Sequence, residues 1–455
     1  MIKKQLTPFK LIALFLLMTL FASTARAEWE QLFDRETLKG WKIKNGWAEY
    51  RVEDGAIVGK SVPKSPNTFL TTEKDYGDFV LELEVKVDKG LNSGIQFRSL
   101  SFPEYREGRV HGYQYELDTA DRRWTAGIYD EGRRGWLYPV EFNPKAKNLF
   151  KQGAWNKVRI ECVGSSLRTW LNDEPVSHVI DDLTSKGFIA LQVHGVGNSE
   201  ENLGKEVAWR NIRINTDVKK PTKSRGFYIR NMVPNTVSTD EKARKWKLLW
   251  DGKTSKGWRK VGAKTFPKDG WDMTDGVLTV VPDEEGKKPT GGDIVAVDQY
   301  GAFELDFEFL PTRGANSGIK YFVTESGNSA LGLEYQILDD KVHPDAKQGA
   351  ASNRTCASLY DLIPAERFVS YRNVPLNIGN WNHGRIVVRP NDRVEHWLNG
   401  FKVVQYDRGN NIYRALVARS KYKDKEGFGL GEKGYIALTD HHDKVSFRSI
   451  KIREL

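Results

Sequence analysis

Apolar and polar residues alternate along short stretches of this chain. Phe79-Val80-Leu81-Glu82-Leu83-Glu84-Val85 alternates after its first residues, and Phe303-Glu304-Leu305-Asp306-Phe307-Glu308-Phe309 alternates throughout. Successive side chains of a strand point to opposite faces, so this period predicts strands with one apolar and one polar face. Val158–Glu161 and Ile386–Arg389 supply further short strands. Asp54-Gly55, Asp275-Gly276 and Asn399-Gly400 lie between such stretches. These pairs favour primed hairpin turns. No long helical stripe appears outside the charged stretch Asp240–Lys247, which suffices for one turn or two. Many short antiparallel strands imply two sheets packed face to face. Glu82, Glu84, Glu304, Asp306 and Glu308 should then face solvent or a shallow groove.

The pattern occurs twice, in the same order. Leu32-Phe33-Asp34 and Gly40-Trp41 return as Leu249-Trp250-Asp251 and Gly257-Trp258; Asn92-Ser93-Gly94-Ile95 returns as Asn316-Ser317-Gly318-Ile319. Trp155-Asn156 with Trp170-Leu171-Asn172 returns as Trp381-Asn382 with Trp397-Leu398-Asn399. Gly187-Phe188-Ile189-Ala190-Leu191 and His194 return as Gly434-Tyr435-Ile436-Ala437-Leu438 and His441. The expected architecture is all-β: two tandem β-sandwiches, residues 28–217 and 245–455, joined by a linker at 218–244. The second has the longer loops. Trp41, Trp155, Trp170, Trp258, Trp381 and Trp397 repeat between the halves and are expected mostly in the cores.

The first 27 residues are of another kind. Lys3, Lys4 and Lys10 precede an apolar run from Leu11 to Ala22, and Ala25-Arg26-Ala27 has the small-x-small form of a cleavage site. This is the pattern of a secretory signal, and it predicts an exported protein, periplasmic or secreted, with no transmembrane segment after cleavage. Removing it lowers the formal charge of the 455-residue chain from +10 to +6, because the segment holds three Lys, one Arg and no acid. The remaining Lys and Arg are scattered among acids, so no basic stripe for nucleic acid is present. Cys162 and Cys356 sit in separate halves without metal-ligand or redox spacing, and two buried free thiols are expected.

The repeated residues resemble the 3-keto-disaccharide hydrolase domain family. The resembling marks are Leu-Phe-Asp…Gly-Trp, Asn-Ser-Gly-Ile, Gly-x-(Glu/Gln), (Leu/Ile)-Tyr-Asp, Trp-Asn and Trp-Leu-Asn. His194 before Trp209-Arg210-Asn211-Ile212, and His441 before Phe447-Arg448-Ser449-Ile450, close the set. The resemblance covers both halves. It implies a concanavalin-like jelly roll with a sugar site on the concave sheet, and cleavage of glycosides oxidised to a ketone at C3. The implied partners are an oligosaccharide, a glycoside or a 3-keto sugar. The alternative is a non-catalytic tandem carbohydrate-binding protein.

A 3-ketone acidifies the C2 hydrogen, so a modest base can remove it and the C1 substituent can leave by elimination; water then completes a net hydrolysis. Such a site needs a base, an enolate stabiliser, and an acid or a metal near the leaving oxygen. In the first half Gln114, Glu116 and Asp118 share a face by alternation; in the second, Glu334 and Gln336 share one, so Glu and Gln have exchanged places. Asp339 joins that face only through a bulge. Glu116 or Asp118 is the expected base, His194 the acid or ligand, and Arg98 or Arg134 the enolate stabiliser. The second-half set is Glu334 with His441, supported by Gln336, Asp339 and Arg354. Tyr129, Arg133, Trp124 and Trp136, with Tyr360 as the counterpart of Tyr129, are expected to bind substrate. Asp440-His441-His442-Asp443 also permits a divalent metal, the one cofactor the sequence suggests.

Overall fold

The computed structural model of the chain describes residues 29–223, 226–282, 291–369 and 372–455. The secretory-signal pattern lies outside the described residues. Among them the fold is all-β apart from short helices, and it divides into two sandwiches of antiparallel sheets. In the first, a nine-stranded sheet packs on a seven-stranded one. The strand Phe79–Val87 runs through the former, turning Leu81, Leu83 and Val85 into the core. The strand His111–Asp118 lies in the seven-stranded sheet, between Asn92–Leu100 and Ile128–Glu131. It turns Tyr113, Tyr115 and Leu117 inward and Gln114, Glu116 and Asp118 to the other face, as alternation requires. The second sandwich pairs an eight-stranded with a five-stranded sheet, the latter ordered Trp258–Lys260, Ile294–Tyr300, Gly434–Leu438, Asn316–Ser326, Ser329–Leu338.

The turn chemistry is as expected. Asp54-Gly55, Asp275-Gly276 and Asn399-Gly400 all have positive φ at both residues. Asn-Ser-Gly-Ile starts a strand in both halves. Its glycine has a packing reason: a Cβ on Gly94 would lie 2.4 Å from the Gln114 side chain, and one on Gly318 would lie 2.2 Å from Glu334. Cys162 and Cys356 are buried and free. Of the repeated tryptophans, Trp41, Trp258 and Trp397 are buried, whereas Trp155, Trp170 and Trp381 are half-exposed, each beneath an arginine (Arg210, Arg159 and Arg448).

The segment joining the sandwiches is built into both of them. Arg230–Asn231 adds a parallel strand to the edge strand Glu174–Ile180 of the first sandwich. From there Arg230 reaches Glu308 of the second at 3.0 Å, and the Tyr228 hydroxyl donates to Asp306. A capping box of Ser238 and Glu241 starts the helix Thr239–Ala243. Its Asp240 pairs with Arg168 of the first sandwich and its Glu241 with Lys451 of the second. The polar row of the strand Phe303–Pro311 is therefore buried rather than facing solvent, with Glu304 and Glu308 each lining a cavity. Glu304 pairs with Arg385 and Arg453, Asp306 with His383, and Glu308 with Arg230 and Arg448. Glu82 and Glu84 of the first sandwich stay partly exposed and pair with Arg159, Arg213 and Arg210.

Candidate active site

The outward face of the seven-stranded sheet carries a cavity of about 300 Å³ that brings together Gln114, Glu116, Tyr129, Trp136 and His194. Three adjacent strands and the turn after Phe188–Val193 supply them. Asn92, Arg109, Arg122, Glu131 and Gln192 line the same cavity.

Glu116 is the centre of this group. Both of its oxygens accept from neutral amides, Asn92 at 2.6 Å and Gln114 at 2.9 Å, and Gln114 in turn accepts from Gln96. Burial pushes its carboxyl up to about 7, with Asp118 adding to the rise and the two amide bonds opposing it. A carboxylate poised there is a competent general base near neutral pH. His194 is held below its ordinary value by burial, so it is neutral at pH 7. Its Nδ1 faces the Gly195 carbonyl at 2.8 Å. A carbonyl can only accept, so Nδ1 carries the proton and Nε2 keeps its lone pair.

Asp118 does not line the cavity. It accepts from Arg122 Nε at 2.6 Å and from the Ala120 and Trp124 backbone N–H groups. It thereby sets the Arg122 guanidinium 3.6 Å from Glu116 and over the Trp124 and Trp136 rings. Glu131 is paired with Arg109 at 2.9 Å. Gln192 is fully buried, and neither its amide nitrogen nor its oxygen has a hydrogen-bond partner among the described residues. Leaving such a group unpaired costs about 1–3 kcal/mol, the usual mark of a position that pairs with a ligand or with water.

Several expected residues lie elsewhere. Arg98 follows an irregularity in its strand, has φ 45°, and is buried on Asp78 and the Gly77 and Gly164 carbonyls. Arg133 and Arg134 both pair with Asp130, which points away from Tyr129 and Glu131; Arg134 also reaches Asp181 and Arg133 reaches Thr184. Trp124 is buried against Trp136 and against Phe401 of the second sandwich. The arginines that line the cavity are instead Arg122 and Arg109, which sequence reasoning missed. Gln192 was missed too, although a lone Gln in the apolar run Phe188–Val193 was the available signal.

The corresponding face of the second sandwich has a cavity of about 220 Å³ that gathers Glu334, Gln336, Tyr360 and His441. Asp339 instead accepts from the Gly314 and Lys341 backbone, and Arg354 pairs with Asp345 and Asp361, both outside the cavity. The Asp440–Asp443 cluster disperses: Asp440 takes the Gly292 backbone N–H and Asp443 that of Asn316. Among the described residues no group of three or more His, Cys, Asp or Glu is placed to hold a metal ion. Nor is any helix among them long and apolar enough to cross a membrane.

The model of the 3-keto-alpha-glucoside-1,2-lyase-like domain matches residues 28–215 and again 245–453. The chain belongs to that family. The lyase-like domain thus occurs in tandem here, and the protein is a carbohydrate-active enzyme by family. It is 34% identical over 234 residues to a 3-keto-disaccharide hydrolase of Bacteroides thetaiotaomicron, covering 46% of this chain and 77% of that protein. Two solved glycosyl hydrolase candidates from Parabacteroides distasonis are also similar to it. One is 26% identical over 49% of this chain and 99% of its own, with TM-score 0.43; the other is 29% identical over 44% and 99%, with TM-score 0.32.

Proposed function

We propose that the protein is an exported enzyme that cleaves 3-keto-glycosides in its first lyase-like domain. The observation that carries this reading is Glu116: a buried carboxyl, raised to about 7 and hydrogen-bonded only by neutral amides, sharing a cavity with a neutral histidine and two arginines. The names of the family and of the Bacteroides relative support the substrate class. The apolar run and Ala25-x-Ala27 of the amino terminus support export, which amino-terminal sequencing of cell-purified protein tests.

In this mechanism Glu116 takes the C2 proton and the electrons pass into an enolate whose oxygen, O3, accepts from Arg122. Collapse of the enolate breaks the C1–O bond, and the proton now on Glu116 passes to the departing oxygen. The product is an unsaturated 3-ketone plus the aglycone. Water then adds at C1, giving up its proton to Nε2 of His194, and the imidazolium so formed passes a proton to C2, which leaves the histidine neutral again. The sum is hydrolysis, and stopping before water addition makes it a lyase. Gln192 and Tyr129 orient the ring, and Trp136 lines its apolar side.

The test is turnover of p-nitrophenyl 3-keto-α-glucoside against its unoxidised parent. The reading expects nitrophenol from the ketone alone. Equal release from both would favour direct hydrolysis by the carboxyls Glu116 and Glu131.

A further inference from the structure

The second cavity is built on the same register as the first but with different chemistry. Gly318 pairs with Gln336 and Lys320 with Glu334, where the first domain pairs Gly94 with Glu116 and Gln96 with Gln114. The base position is therefore held by Gln336, whose Oε1 accepts from its own neighbour, the Ile337 N–H, at 2.9 Å. The acid has moved by two residues along the strand, and its carboxyl lies over Gly318 as the Gln114 amide lies over Gly94, so Glu334 takes the place of Gln114 rather than that of Glu116. Glu334 also has a lysine as its direct cross-strand neighbour, where Glu116 has only amides as hydrogen-bond donors. At the position of Glu131 stands Leu362, buried.

What remains is suited to holding hydroxyls. Asn316, the counterpart of Asn92, is more than nine-tenths buried, lines the cavity, and its Oδ1 has no partner among the described residues. Lys421 and Tyr422 close one side from an insertion that follows the helix Asn411–Ala418, with the Lys421 ammonium 4.1 Å from the Tyr360 ring centre. Carboxylate, ammonium and amide groups around a small cavity are the donors and acceptors that polyols need.

We infer that this cavity is a second sugar-binding site, which holds a hexopyranosyl unit of the glycoside without cleaving it. The inference rests on the reading of Glu116 as the base of the first domain. The experiment titrates Glu116→Gln protein with p-nitrophenyl α-glucoside by calorimetry, alone and combined with Lys421→Ala or Asn316→Leu, and assays the same proteins on the 3-keto form. The expected result is no turnover and two binding events with Glu116→Gln, one of which weakens at least tenfold in either double variant. Retained turnover that Glu334→Gln removes would overturn the inference, as would a single binding event indifferent to both double variants. If wild-type protein fails to turn over the 3-keto glycoside yet two binding events persist and Lys421→Ala removes one, the cleavage reading fails and the second site stands.

Discussion

Glu116→Gln removes a carboxyl that the fold holds against its preference for water. Its pKa rises from the ordinary 4.5 to about 7, with burial as the leading cause. The folded protein therefore binds this proton more tightly than the unfolded chain does. Stability from such a group is present in full below 4.5 and is lost as pH rises toward 7. The destabilisation amounts to roughly 3 kcal/mol at pH 8 and roughly 1 kcal/mol at pH 5. Glutamine keeps the shape and the Asn92 bond and does not ionise. It must present an amide nitrogen to one neighbour, but that cost is the same at both pH values and cancels in the comparison. Urea unfolding of wild type and variant should thus show the variant gaining roughly 2 kcal/mol relative to wild type between pH 5 and pH 8. Turnover of the 3-keto substrate should fall by about 10²–10⁴. Wild-type kcat/KM should rise through pH 7 and stay level above it, where His194 is already neutral. A stability difference that does not change with pH would refute the buried-base argument, even if activity were lost.

Arg122→Ala should lower kcat by about 10²–10³ with little change in KM, since its contact strengthens as the enolate forms; a purely KM effect would make it a binding residue. Gln192→Leu removes a buried amide with no partner among the described residues, so it should stabilise the protein by about 1–3 kcal/mol while weakening substrate binding, read by urea unfolding and KM together. Arg230→Ala leaves Glu308 buried with fewer partners and should destabilise the protein by about 3–5 kcal/mol in urea; an effect below 1 would mean the joining segment does not hold the domains.

Much of this site was legible because period two fixes a face. Alternation put Gln114 and Glu116 together, and the repeat picked out Tyr129 and His194 with their counterparts Tyr360 and His441. The same rule placed Asp130 opposite Tyr129, so Arg133 and Arg134, which pair with Asp130, leave the cavity. Arg98 could not be placed this way, since a strand irregularity turns it over and no residue type announces one. Arg122 is positioned through Asp118 in a turn beyond the strand. The burial of Glu304, Asp306 and Glu308 was not legible, because their partners are bases on the neighbouring strands (Arg385, Arg453, His383 and Arg448) together with Tyr228 and Arg230 of the joining segment, whose course depends on both domains. The helix Asn411–Ala418 and the cavity wall after it have no counterpart in the first repeat, so comparing the halves showed a longer loop there but not its structure.

The central claim is abstraction of the C2 proton. Cleavage of the 3-keto glycoside in deuterium oxide, followed by NMR of the sugar product and set against an enzyme-free control, tests it directly. The account predicts one deuterium at C2 of each product molecule formed by wild-type protein, and none above the control with Glu116→Gln. Product released at the wild-type rate with its C2 hydrogen intact would contradict it.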